Sequence, residues 1–489
     1  MRVALITSGH ESLGIESLSA RLKQDGHEVR LYFDPKSFGG GIFLKIDILN
    51  MFFDLKRKII DQVLLWQPDI IGFSCMTHNY RWGLMIAIEI KKRKNIPIIF
   101  GGMHSTMLPD EVIKQKCVDY VAIGEAEGSF SLLLDEISNR GDLANIPGIY
   151  SKRGNEIIKN PVFPLIRDLN SLPFADKDLF YEKMPILKKI AYSISASRGC
   201  LFSCSYCCND YLKKIYKDCQ FYRMRSVDNV ISELKSAKQK YNIKSVIFYD
   251  EVFPSAIPWL KEFSLKYKHE INLPFVIYYH FKLCSRERLL LLKQAGCKGL
   301  GFGLQSTSER IRREILNRKE NNEQVKHAVK LCKELDLTVN IDHILGLPTE
   351  TEADLKYAVE FYRALKPNLI YSYWLTLYPQ TSIIDIAIKN GIITEKERII
   401  INNGESSNLH KGSFIKQKKM LLKYELLFDL IPLLPENAHK YISQNEWLLN
   451  ILPKGYISHF ILIFITMIKL KEKMSLTALR ILFSKKYVP

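Results

Sequence analysis

The sequence has few of the marks of a secreted or membrane-spanning chain. Its first residues, MRVALITSGHES, hold no basic stretch followed by a long apolar run, so no secretory signal is expected there. No apolar stretch reaches the roughly 20 residues that cross a bilayer. The longest candidate, YISHFILIFITMI at 456–468, is shorter and lies between Lys454 and Lys469. It is read as a buried helix or strand of a C-terminal region, with an interfacial anchor or a wall for a lipid-like substrate as alternatives. Arg-rich runs and RNA-binding motifs are also missing, so no nucleic-acid partner is expected, although the formal net charge is +18. From residue 401 onward there are thirteen Lys/Arg against six Asp/Glu. This excess is read as solvated lysine-rich faces, with peripheral contact to an anionic membrane left open. The expected compartment is the cytoplasm, where disulfides are disfavoured.

What is present is a large apolar fraction, 47% of 489 residues, enough for about two to four domains with their own cores. The first segment alternates short apolar runs with helical ones: RVALITS, VRLYFD, DIIGFSC, PIIFGG and VDYVAIG as strands, with GIESLSARLKQDGH, DILNMFFDLKRKIIDQVLLW, RWGLMIAIEIKKRKN, DEVIKQK and GSFSLLLDEI as helices. Apolar strands separated by helices predict a parallel sheet covered on both faces, a Rossmann-like or flavodoxin-like α/β domain over 1–144. Residues 145–190 lose this rhythm, carry five prolines and are read as a linker, in which NEIIKNPVFPLIRDLNSLPF could still pack on its neighbours. A second series follows, with strands YSISAS, SVIFYD, FVIYYH, GLGFGL, TVNIDHIL and LIYSYWLTL. Six strands alternating with helices predict a partial or complete β/α barrel over 191–398, with its site at the C-terminal strand ends. Residues 399–489 are expected to form a mainly helical region that covers substrate.

The barrel's first strand leads into SRGCLFSCSYCCND, where four of the ten cysteines fall within nine positions. Cys200, Cys204 and Cys207 have the spacing C-x3-C-x2-C. Three thiolates from one loop can hold three irons of a four-iron cluster and leave the fourth iron open. A zinc site is the alternative, but no second C-x2-C follows and Cys208 is adjacent to Cys207, a poor geometry for chelating one ion. Cys208 and most of Cys75, Cys117, Cys219, Cys284, Cys297 and Cys332 are read as structural.

SRGCLFSCSYC resembles the cluster motif of radical S-adenosylmethionine (SAM) enzymes, including the aromatic residue, Tyr206, before the last cysteine. The resemblance extends over about 190–390. SVIFYDEVF, GLGFGLQSTSERIRREILNRK, HILGLPTET and LTLYPQTSI are similar to the family's later strand ends, with Gln305 standing where relatives often have an acid and Thr349 where they have glycine. It implies a [4Fe-4S] cluster on Cys200, Cys204 and Cys207. It also implies a SAM site formed by Tyr206, Asp250, Glu251, Gln305, Ser306 and Gly346.

The first segment resembles the cobalamin (B12)-binding domain that precedes many radical SAM domains. DIIGFSCMTHNY supplies Ser74 and Thr77; IIFGGMHST supplies Gly101, Gly102 and His104; VDYVAIGEAEGSF supplies Gly124 and Glu125. Many relatives carry D-x-H-x-x-G after the first strand, with the histidine ligating cobalt. Here GHESLG, counted back from Gly14, puts Glu11 at that position, so no histidine lower ligand is expected. The two resemblances together imply a cobalamin-dependent radical SAM methyltransferase. It would act on an unactivated carbon or on phosphorus through a 5'-deoxyadenosyl radical and methylcobalamin. The alternative with the same cofactors is an oxidative cyclase or ring-rearrangement enzyme. More distant rivals are a tRNA methylthiotransferase and a non-catalytic cobalamin sensor. Expected partners are a small-molecule or lipid-like substrate and an electron donor such as a ferredoxin or flavodoxin.

Overall fold

The computed structural model describes residues 1–35, 55–217, 219–405 and 417–452. Residues 47–54 of the expected second helix and the apolar segment 456–468 lie outside the described residues.

The β-rich apolar runs of the first segment become β1 (Arg2–Ser8), β2 (Glu28–Asp34), β3 (Ile70–Ser74), β4 (Ile98–Gly101) and β5 (Tyr120–Ala122). They pair in parallel in the order β2-β1-β3-β4-β5. The strands are buried on both faces because helices cover both sides. Ile71, Phe73, Ile98 and Phe100 pack under the helix Tyr80–Arg93 on one side. Val3, Leu5, Ile70 and Ile99 pack with Phe130, Leu133 and Leu134 on the other. Strand order reverses direction between β1 and β3, and the crevice at such a switch point is where open α/β sheets take ligands.

Residues 145–190, read above as a linker, do more than connect. β6 (Ile149–Arg153) and β7 (Glu156–Lys159) form a hairpin that extends the sheet antiparallel to β5. Leu179, Phe180, Tyr181 and Leu187 bury themselves in the same core as the first helix. Sequence rhythm missed this because the hairpin is short and its outer strand is exposed, which removes the alternating apolar signal.

The second series gives β8 (Tyr192–Ile194), a short β9 (Ser197–Arg198) and β10 (Arg223–Met224), then β11 (Val246–Phe248), β12 (Phe275–Tyr279), β13 (Cys297–Gln305), β14 (Thr338–Leu345) and β15 (Leu369–Trp374). The six strands of the main wall run parallel in the order β8-β11-β12-β13-β14-β15, an open barrel. Its core holds Phe248, Phe253, Phe263 and Phe275. The helix Lys418–Leu430 packs on β15 and its Tyr424, Leu427 and Phe428 join that core. No helix among the described residues is long and apolar enough to cross a membrane.

Candidate active site between the two sheets

The cysteine loop leaves the C-terminal end of β8 and ends at Cys207, the residue before the helix Cys208–Ile215. Polar contacts hold its course. Ser205 donates its N–H to the Leu316 carbonyl at 3.1 Å and its hydroxyl to that of Ile315 at 2.5 Å. Asn317 Nδ2 donates to the Ser203 carbonyl at 2.7 Å, and Lys213 Nζ to that of Phe202 at 2.8 Å. The Phe202 ring stacks on His280 with centroids 3.7 Å apart.

The three thiols of the motif are free, Cys204 buried and the other two half-buried. Each sulfur accepts a hydrogen bond: Cys200 from the Phe202 N–H at 3.4 Å, Cys204 from Arg318 Nη1 at 3.4 Å, Cys207 from Asn209 Nδ2 at 3.7 Å. Burial pushes the Cys200 thiol up to about 11 and the Cys207 thiol up to about 12. Among the described residues no three His, Cys, Asp or Glu side chains close around one point as ligands of a single ion do. Three thiols on one loop, each receiving a hydrogen bond at sulfur, suit the thiolate ligands of a four-iron cluster. The donor set therefore fits a cluster. Cys208 packs instead with Met107, Leu108 and Tyr378, as its structural reading expects. Of the scattered cysteines, Cys75, Cys117, Cys297 and Cys332 are buried, Cys284 is half-buried and Cys219 is exposed.

Above the loop, a cavity of about 420 Å³ lies between the two domains. Gly14, Gly102, Gly124 and Glu125 line it from the first domain, Ser195 and Glu251 from the barrel. Leu165, Leu169 and Leu172 of the connecting segment also line it, a contribution that no motif announced. Two of its glycines are required by geometry. Gly102 has φ +86°, and a Cβ there would stand 2.8 Å from the Cys75 backbone N and O. Gly124 has φ +76°, and a Cβ there would fall onto Tyr216 Oη. Both turns bring bare backbone to the crevice.

The other expected cobalamin residues divide. Ser74 and Gly101 are paired across β3 and β4 at the strand ends. Thr77 and His104 are buried together, with Thr77 Oγ1 3.2 Å from His104 Nδ1 and the Tyr80 ring 4.0 Å from the imidazole. Burial drives His104 down to about 3, so it is neutral, and its Nε2 has no hydrogen-bond partner. Glu11 is held by Lys177 Nζ at 3.2 Å and by the Ser193 hydroxyl at 3.3 Å. Glu125 is clamped by Arg223 through contacts of 2.6 and 3.0 Å.

The expected SAM residues divide as well. Asp250 is buried and turned back to the root of the loop, accepting from Ser197 Oγ at 2.5 Å and the Ala196 N–H at 3.2 Å. Burial raises its carboxyl to about 6. It orients the loop rather than offering a free oxygen. Glu251 instead lines the cavity, where its enclosure, and secondarily the neighbouring Asp250, raises its carboxyl to about 7 while its surface stays open to the crevice. Tyr206 packs against the Ile311 and Ile383 cluster. Ser306 is buried and its hydroxyl accepts the Ser308 N–H at 3.3 Å. Gln305 ends β13 with φ +68°, a rare conformation for a residue with a side chain. Its Oε1 is buried with no hydrogen-bond partner. An orphaned acceptor there suits a hydroxyl or ammonium donor of a bound molecule.

Gly346 donates its N–H to Glu350 Oε2 at 2.8 Å. Burial raises the Glu350 carboxyl to about 8, far above the ordinary 4.5. A raised carboxyl stabilises the fold fully below about pH 4.5 and loses that contribution as pH rises through 8. Glu350→Gln keeps an acceptor for Gly346 without the titration. Its melting temperature is expected to gain on the wild type as pH goes from 6 to 9; a difference independent of pH would contradict this role.

The B12 binding domain family model matches residues 2–134 and the radical SAM superfamily model matches 194–362. The chain belongs to the radical SAM enzymes that carry a B12-binding domain. A [4Fe-4S] cluster, SAM and cobalamin are the cofactors this domain pair implies. An uncharacterised methyltransferase of Pyrococcus horikoshii is 27% identical to this radical SAM enzyme over 339 residues, 67% of the chain and 71% of the relative. The anaerobic magnesium-protoporphyrin IX monomethyl ester cyclase of Rubrivivax gelatinosus is 24% identical over 335 residues; the match spans 65% of the chain and 59% of the cyclase. The fold is that of the radical SAM methyltransferase TsrM from Kitasatospora setae, solved with tryptophan and a SAM analogue. That match has a TM-score of 0.63 at 19% identity and covers 80% of this chain and 76% of that one.

Proposed function

We propose that this protein is a cobalamin-dependent radical SAM methyltransferase acting on an unactivated carbon of a small molecule. The observation that carries the reading is the cavity bounded by the glycine turns of the first sheet and by the Ser195–Glu251 end of the barrel. Bound together, the cluster, SAM and cobalamin supply a 5'-deoxyadenosyl radical and a transferable methyl group. Cys200, Cys204 and Cys207 hold the cluster. Glu251 receives the SAM ammonium, and Gln305 Oε1 accepts from a SAM hydroxyl or ammonium group. Gly102 and Gly124 admit the cobalamin against bare backbone. Asp250 and Ser205 position the loop, and Leu165, Leu169 and Leu172 limit water at the crevice. Glu11, at the position where many relatives carry a ligating histidine, is bound instead by Lys177 and Ser193. The electron donor is a ferredoxin or flavodoxin of the cytoplasm.

An oxidative cyclisation on the same cofactors is the second reading, favoured by the similarity to the Rubrivivax cyclase over most of the chain. Anaerobically reconstituted protein, given reductant and SAM, tests the proposal. Formation of both S-adenosylhomocysteine and 5'-deoxyadenosine is the expected result. Deoxyadenosine alone would move the assignment to the cyclase reading, and neither product from fully loaded protein would overturn both.

A further inference from the structure

Arg318 lies 114 residues along the chain from Cys204, yet its Nη1 donates to the Cys204 sulfur at 3.4 Å. The guanidinium is almost wholly buried, and each of its edges is used. Nε donates to Glu320 Oε1 at 2.6 Å, and Nη2 donates to the Gly303 carbonyl at 2.6 Å while standing 3.1 Å from His280 Nε2. His280 is itself stacked on Phe202 of the cysteine loop. One cation thus joins Cys204 of the C-x3-C-x2-C loop to the strand that ends at Gln305.

An ion pair with Glu320 would be enough to neutralise a buried arginine. It would not require a donor on sulfur. A charge-assisted N–H···S bond stabilises a thiolate ligand most when the cluster carries its extra electron, so it raises the reduction potential. Exclusion of water strengthens the effect. Glu320 opposes it by partly neutralising the guanidinium.

We propose that Arg318 is a positioning residue that raises the reduction potential of the cluster through its bond to Cys204, with Glu320 setting the strength of that effect. This rests on the assignment of Cys204 as a cluster ligand. The two side chains then have opposite signatures. Arg318→Gln removes the charged donor and lowers the potential. Glu320→Gln still accepts from Nε but leaves the cation unopposed, and so raises it. A purely structural role predicts no such pair of opposite shifts.

The test is an anaerobic redox titration of reconstituted full-length protein, followed by the paramagnetic resonance signal of the reduced cluster. The expected change is about tenfold or more in the one-electron equilibrium for each variant, down for Arg318→Gln and up for Glu320→Gln, which is about 59 mV each. Shifts below about twofold, or shifts in the same direction, would overturn the proposal. If Arg318→Gln does not fold, Glu320→Gln decides alone: a rise supports the proposal, and no rise sinks it. A wild-type protein that forms no cluster would remove the ligand assignment itself, a result distinct from unshifted potentials in clusters that form.

Discussion

Alanine in place of Cys200, Cys204 or Cys207 is expected to abolish SAM cleavage, while alanine in place of Cys208 leaves it. Each of the three sulfurs receives a donor at the loop, and each would bind one iron. Loss of outer-shell partners at metal sites already costs about 10- to 100-fold, so loss of a ligand is expected to lower deoxyadenosine formation by at least about 100-fold. Iron and sulfide content should fall with it. Cys208 faces away, against Met107 and Tyr378, and its loss should cost only about 1 kcal/mol of stability. The measurement is iron content and product formation side by side for the four variants. Cys208→Ala behaving like the other three, or any of the three retaining full iron and turnover, would break the ligand assignment.

Lys177→Met is expected to destabilise the protein strongly. The ammonium is fully buried, 2.6 Å from Glu16 Oε2 and 3.2 Å from Glu11 Oε1. It ties the first helix and the loop after β1 to the connecting segment, and Glu11 passes the link to Ser193 on β8. Removing one partner of a buried ion pair leaves an uncompensated charge and costs about 3–5 kcal/mol. Burial raises the Glu16 carboxyl to about 7, even with Lys177 pulling it down. Its folded value thus exceeds the ordinary 4.5, so its contribution is full below about pH 4.5 and fades as pH rises through 7. Without Lys177 the carboxyl has less reason to ionise, and the deficit of the variant should widen from pH 6 to pH 8. Thermal melting of the two proteins across that range measures it. Equal melting temperatures at pH 8 would show that the network contributes nothing to holding the domains.

The strands and the cysteine loop were legible because their signals are local. RVALITS and DIIGFSC announce buried strands by composition, and C-x3-C-x2-C needs only neighbouring residues. The α/β sheet and the barrel follow from that alternation. The direction of side chains was not legible. Asp250 and Glu251 are adjacent, yet only Glu251 reaches the cavity, because Asp250 satisfies Ser197 and Ala196 at the root of the loop. Thr77 and His104 point at each other inside the first domain rather than into the crevice. Lys177 carries no motif, and Arg318 lies within GLGFGLQSTSERIRREILNRK without standing out there; each matters because the fold delivers a charge to a buried partner far away in sequence. Leu165 and Leu169 became part of the site only because the connecting segment folds back over the crevice.

A chain that joins a cluster loop and a cobalamin crevice across one cavity must hold both groups at once. Metal and corrinoid analysis of protein reconstituted without oxygen tests it most directly. About four iron atoms and about one cobalamin per chain, retained together through gel filtration, are expected. Iron without cobalamin, or about one zinc in place of the cluster, would contradict it.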